Sequence, residues 1–141
     1  MDQIEQCISF IIGKASQTVS RRARELLAPF QITPPQYAVL KAISETEAAT
    51  AARLIQRLSM DTATVTGILD RLEANTWLRR IPHNDDRRIQ VLELSAKADQ
   101  QLPALDEAMD TLNREMRQLI GTDAEAVWRG LDALNPKTGR I

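Results

Sequence analysis

Cysteine occurs once in these 141 residues, at Cys7, which excludes an internal disulfide framework and suits a reducing compartment. Histidine also occurs once, at His83, and one histidine with one distant cysteine supplies no convincing metal-ligand set. The five glycines form no phosphate-cradling pattern. Neither a nucleophile elbow nor a usefully spaced carboxylate and histidine set is present, so no enzyme and no cofactor is expected. Aromatics make up only 4%, leaving the core to Leu, Ile, Val, Ala and Met, which favours helices. No stretch approaches the ~20 apolar residues of a membrane span. The start, Met1 to Ile12, carries Asp2 and Glu5 and lacks a basic n-region, so it does not read as a secretory signal. A cytoplasmic protein without membrane contact is expected.

What is present fits one globular domain spanning 1–141, at 43% apolar and 26% charged residues. The net charge of -1 neither supports nor excludes a nucleic-acid partner, but its distribution is uneven. Seven arginines face five acidic residues between Arg53 and Arg88, while the remainder is net negative. Such an excess permits nucleic-acid binding without requiring it.

Periodicity predicts a first helix over about 2–28, with Ile4, Ile8, Ile11, Ile12, Ala15, Val19, Ala23, Leu26 and Leu27 on one stripe and Pro29 ending it. Thr33-Pro34-Pro35-Gln36 carries a cap, a proline at the first helical position and a capping-box glutamine. Tyr37, Val39, Leu40 and Ile43 follow as its buried face. Ser44 to Ala49 reads as a loop, and Thr50 caps a short helix burying Leu54, Ile55 and Leu58. Asp61 caps the next, from Thr62 to about Asn75, with Val65, Ile68, Leu69 and Leu72 inward and Thr62, Thr64, Thr66 and Gly67 on its outward side. Trp77–Ile81 and Ile89–Leu94 read as two strands around the turn chemistry of Pro82 to Arg88. Ser95 opens a long helix with Leu102, Leu105, Met109, Leu112, Met116 and Leu119 inward, bent near Pro103 and stopped by Gly121. Thr122-Asp123-Ala124-Glu125 is a second capping box, for a last helix burying Val127, Leu131 and Leu134 and closed by Asn135-Pro136. The fold class is therefore mostly α with a small β-hairpin wing (α+β).

Two helices joined by about three residues, the second capped and carrying short polar side chains, make a helix-turn-helix pattern. A helix ~10–12 Å across fits the ~12 Å major groove, and short threonines allow close approach to base edges. An exposed helix alone would show the same residues; the charged hairpin that follows tips the reading toward DNA. Arg87 and Arg88 lie at its tip, where a guanidinium can enter a narrow minor groove. Asp86 is placed to hold Arg88, and His83 reads as solvated or phosphate-facing. Arg71 joins the candidate contacts from the recognition helix. Arg53 and Arg57, one turn apart, and Arg79 and Arg80 on the first strand, read either as phosphate grips or as solvated charges. Cys7 reads either as a small apolar residue in a dimer contact or as a peroxide-sensing thiol.

With these residues in hand, the chain resembles the MarR family of regulators. Ile32-Thr-Pro-Pro-Gln-Tyr-Ala-Val-Leu40 is similar to the family's entry into its second helix. Asp61 to Glu73 resembles its recognition helix, and Asp85 to Ser95 its wing, with Asp86 and Arg88 as the Asp-x-Arg pair. The resemblance implies a winged helix-turn-helix over 31–95, flanked by dimerisation helices at 1–30 and 96–141. It implies a homodimer on a pseudo-palindromic duplex site, many members being repressors released by small phenolic or anionic ligands. Family pockets lie near the start of the second helix and the adjoining first and fifth helices. Gly67 stands where many members carry arginine, Ala63 where serine is common, Ser59 where the turn has glycine, and Thr76 where glycine follows the recognition helix. In the oxidant-sensing branch the cysteine position corresponds to Ser9, not Cys7. Two other readings stay open: a winged-helix module that binds protein, and a thiol-based regulator using Cys7.

Overall fold

The computed structural model describes residues 3–135. Six helices and one hairpin follow in the order α1 (Ile8–Leu27), α2 (Pro34–Ser44), α3 (Ala51–Leu58), α4 (Thr62–Ala74), β1 (Leu78–Pro82), β2 (Gln90–Leu94), α5 (Ala96–Ile120) and α6 (Ala124–Leu134). The mostly helical α+β architecture read from the periodicity is the one observed.

Helix starts follow the capping chemistry closely. Thr33 accepts from the Gln36 N–H at 3.3 Å and Gln36 returns the bond to the Thr33 N–H at 3.0 Å, a complete capping box. Thr50 caps α3, Asp61 caps α4 and Ser95 caps α5, each by accepting the N–H three residues on. The chain ends behave differently. Ile4 lies in a separate 3₁₀ turn, Ile4–Gln6, so α1 is shorter than its apolar stripe suggested. Leaving α1, Ala28–Phe30 form another 3₁₀ turn, with Pro29 inside it. Before α6, Thr122 does not cap: Gly121–Asp123 is a 3₁₀ turn, the Asp123 side chain makes no cap bond, and Glu125 pairs with Arg117 instead. The local bond is given up for a link between α5 and α6. Pro103 lies within a continuous α5, in its second turn. Pro136, expected to close the last helix, lies outside the described residues.

One apolar core sits where α2, α3, α4 and the hairpin meet α5. Val39, Leu40, Leu54, Val65, Leu69, Leu72 and Leu105 are almost fully buried in it, joined by Leu27 from the end of α1. Trp77 is buried just before β1; its N–H donates to the Leu72 carbonyl, so the first strand begins one residue later than its composition suggested. The strands pair antiparallel, Leu78 opposite Leu94 through Pro82 opposite Gln90. Pro82 occupies an edge position, where its missing donor costs no ladder bond. The Leu92 N–H donates to the Ala49 carbonyl at 2.8 Å, so the segment before α3 supplies a short third edge.

The outer helices bury little. In α1 only Ala23 and Leu27 are buried, and in α6 only Ala124. Ile8 is 64% exposed, Leu119 75%, Leu131 50% and Leu134 63%. Leu119, Leu131 and Leu134, expected inward, face solvent in the isolated chain.

Candidate nucleic-acid interface

The helix-turn-helix is built by α3, the turn at Ser59 and Met60, and α4. Ser59 ends α3 in the left-handed region at φ 51°, and Thr76 does the same after α4 at φ 62°. The turns that glycine commonly makes are thus kept by residues that bear a Cβ.

On α4 the buried face of Val65, Ile68, Leu69 and Leu72 fixes which residues point outward. Thr62, Thr66 and Arg71 are exposed, and Ala63 and Gly67 lie between them. A Cβ at Gly67 would meet nothing within 4 Å, so its side is open. Thr64 is less available. Its hydroxyl donates to Asp61 at 2.7 Å while its N–H donates to the other oxygen at 2.8 Å. These bonds, the backbone one foremost, hold the Asp61 carboxyl below its usual range. Thr64, Gly67 and Arg71 line a shallow cavity with Thr33, Pro35 and Gln36 from the start of α2, neighbours that spacing along α4 does not show.

The wing tip is internally braced. Asp86 accepts the Arg88 N–H and Nε at 3.0 Å on one oxygen and the terminal guanidinium nitrogen at 3.0 Å on the other. Those Arg88 bonds lower the Asp86 carboxyl below its ordinary value. Despite the grip, the Arg88 side chain is 91% exposed: aimed, not buried. Arg87 is exposed and makes no ion pair among the described residues. The His83 ring accepts the Asp85 N–H through Nδ1 at 3.1 Å, and the His83 N–H closes the hairpin on the Ile89 carbonyl. Arg53, His83 and Arg88 line one groove between the start of α3 and the wing, a juxtaposition invisible in sequence.

The four arginines of ambiguous role now separate. Arg53 donates to the Glu47 carbonyl at 2.8 Å and still lines that groove. Arg57, exposed on α3, donates to the Ala42 carbonyl and to Thr46 and pairs with Glu45. Arg79 pairs across the hairpin with Glu93 and is 71% exposed. Arg80 is only 19% exposed and binds Asp70 and Glu73, each at 2.7 Å. Burial pulls its guanidinium down, but the two carboxylates more than offset this and leave it raised.

Away from this face, a cavity of about 260 Å³ lies among the α1–α2 turn, Gln36, the end of α4, Trp77 and α5. Lys97 lines it, its ammonium 4.5 Å from the Trp77 ring centroid and donating to the Asn75 carbonyl. Cys7 sits just before α1 with Sγ 3.3 Å from the Ser9 hydroxyl. That contact, then the Phe10 and Ser9 N–H groups, hold the thiol below its ordinary value. No helix among the described residues is long and apolar enough to cross a membrane.

Comparison with known proteins bears on this arrangement. The MarR family model matches residues 32–90, the stretch from the start of α2 to the second strand. A mutant MarR from Escherichia coli, solved in complex with operator DNA, superposes with a TM-score of 0.82 at 26% identity, covering 96% of this chain and all of that one. From the start of α2 to the second strand the chain is similar to the MarR family. Among curated MarR-type relatives, the multiple antibiotic resistance protein MarR of Escherichia coli (strain K12) is 35% identical over 78 residues, 55% of this chain and 54% of its own length. The HTH-type transcriptional regulator TtmR of Methylorubrum extorquens is 34% identical over 85 residues, 60% of this chain and 44% of its own. The chain thus spans about half the length of the curated relatives it matches. Of these relatives, TtmR is named a transcriptional regulator.

Proposed function

We propose that the chain is a sequence-specific, double-stranded-DNA-binding transcriptional regulator, acting as a homodimeric repressor in the cytoplasm. The observation that carries this reading is the braced wing: Arg88, fixed by three bonds to Asp86, yet 91% exposed beyond a capped recognition helix. A surface ion pair contributes only ~0–1 kcal/mol to stability, so a fully exposed, rigidly aimed guanidinium is better explained by what it reaches. In this reading Thr62, Thr66, Gly67 and Arg71 meet the major groove. Arg88, with Arg87, enters the minor groove, while Arg53 and His83 lie against phosphate. Thr64 and Arg57 act indirectly, by holding the helix start and the α2–α3 corner.

Dimerisation is supported by the apolar surface left on α1, α5 and α6, which a second copy would cover. Two copies then present two wings to a pseudo-palindromic site. Release by a small phenolic or anionic effector is supported by the cavity beside Lys97, which touches both α4 and α5. Selection from random duplexes, followed by titration of the winning site at several salt concentrations, tests the reading. We expect a salt-sensitive preference for one sequence class, and Arg88→Ala to weaken that binding by about 1–3 kcal/mol. A dimer or monomer that ignores duplex DNA even in dilute buffer, as a protein-binding winged module would, removes the proposal.

A further inference from the structure

We infer that Arg80 is a positioning residue, whose guanidinium bridges Asp70 and Glu73 to hold the wing at a fixed attitude to the recognition helix. The inference rests on the DNA-binding reading above and deepens it. Three adjacent observations carry it. First, one fork spans two carboxylates three residues apart on α4, with Nη1 on Glu73 and Nη2 on Asp70, each at 2.7 Å. A planar guanidinium suits this bridging, and an ammonium does not. Second, the other Glu73 oxygen accepts the Arg80 backbone N–H at 3.1 Å. The His83 N–H bonds across the hairpin to the Ile89 carbonyl, just before β2, so by alternation the Arg80 N–H points away from the ladder, an edge donor that Glu73 satisfies. The opposite edge is held by the Ala49 carbonyl on the Leu92 N–H. The hairpin root is therefore fixed on both sides, and only one of those sides depends on ion pairing. Third, the wing-tip bonds of His83, Asp86, Arg88 and Ile89 run within the tip or to its base. The direction of Arg88 is inherited from the root.

Charge supplies the remaining argument. Asp70 is 63% exposed and Glu73 41% on the helix read as facing a polyanion, where bare carboxylates repel. Arg79 next door is 71% exposed, whereas Arg80 is turned in. The acidic pair makes sense as the anchor of Arg80, and Arg80 is spent on it, not on phosphate.

The two roles predict opposite signs in one experiment. Replacing both anchors, Asp70→Ala with Glu73→Ala, removes two negative charges and releases Arg80. If Arg80 positions the wing, affinity for the selected duplex falls about tenfold despite the gain in positive charge. Adding Arg88→Ala then costs less than twofold more, because Arg88 is already misaimed. Arg80→Lys should show a similar loss, since a point charge cannot bridge the pair. Tighter binding with a steeper salt dependence would overturn the assignment. So would an Arg88→Ala penalty of undiminished size in the anchor-free protein, which would mark the bridge as stabilising only. If the alanine pair fails to fold, Asp70→Asn with Glu73→Gln makes the same test with the packing kept. A wild type that binds no duplex sinks both readings, whereas a wild type that binds well beside a tighter variant sinks this one alone.

Discussion

The residues from α2 to β2 and the helices at the two ends of the chain solve burial in opposite ways. In the middle, Val39, Leu40, Leu54, Val65, Leu69 and Leu72 are essentially removed from water by neighbours from their own chain. At the ends, α1 commits twenty residues and buries two of them, while α6 commits eleven and buries one. Yet both carry apolar stripes at helical spacing in the sequence. The difference teaches that periodicity reports that a face needs covering, not what covers it. The middle needs only itself. Beside the apolar contacts of Leu27 and Leu105, polar links tie α5 to its neighbours: Arg22 on α1 forks onto Glu115 of α5 at 2.7 and 2.8 Å, and Tyr37 and Lys41 of α2 share Asp106 of α5 at 2.8 Å each. Burial and the Asp106 bond push the Tyr37 hydroxyl well above its usual range.

The strongest way to break this comparison is to charge the uncovered face. Leu131→Glu with Leu134→Glu removes two leucines, each still at least half exposed in one chain, from a face that the proposed homodimer would use twice. Association should weaken by about 4 kcal/mol or more, read by sedimentation, with far-ultraviolet dichroism of the remaining fold preserved. An unchanged mass would show that these leucines cover nothing. In the middle the balance reverses. Leu54→Ala opens a cavity in a site with no exposure and should cost about 2–5 kcal/mol in urea unfolding extrapolated to a common protein concentration. Its dissociation constant per folded protomer should stay the same.

The same contrast explains what could be read before any coordinates. Caps were legible because the bond is local: Thr33, Thr50, Asp61 and Ser95 each meet an N–H three residues on. The helix-turn-helix and the hairpin followed from them to within a residue or two. Thr122 failed the same rule because Glu125 found a better partner in Arg117, eight residues back. Long-range partners left no local trace. Nothing in the spacing of Arg57 points to Ala42 and Glu45, or in that of Ala49 to Leu92, and the groove shared by Arg53, His83 and Arg88 joins segments thirty residues apart. Arg80 offered a partial clue, two carboxylates at helical spacing just upstream, but the sequence does not say that the strand turns back onto that face.

Smaller changes sharpen the comparison by stabilising the middle without touching the ends. Gly67→Ala fills open space in the middle of α4 and relieves the helix of glycine's backbone entropy. A gain of about 1 kcal/mol in unfolding free energy is expected, with no change in association.

The least expected gain comes from the two strained turns that bound α4. Ser59 and Thr76 hold φ of 51° and 62°, where a side chain costs roughly 1–2 kcal/mol that glycine avoids. Glycine also loosens the unfolded chain, which gives back about 0.4–1 kcal/mol. The Thr76 hydroxyl donates to the Asn75 carbonyl at 2.6 Å, and its loss removes a local bond exposed to water. Ser59→Gly and Thr76→Gly should therefore each raise stability by only about 0.5 kcal/mol, measured as a shift in urea midpoint at unchanged slope. Destabilisation at either site would mean that rigidity of the unfolded turn outweighs native strain, and that α4 is framed by side chains that keep the chain stiff.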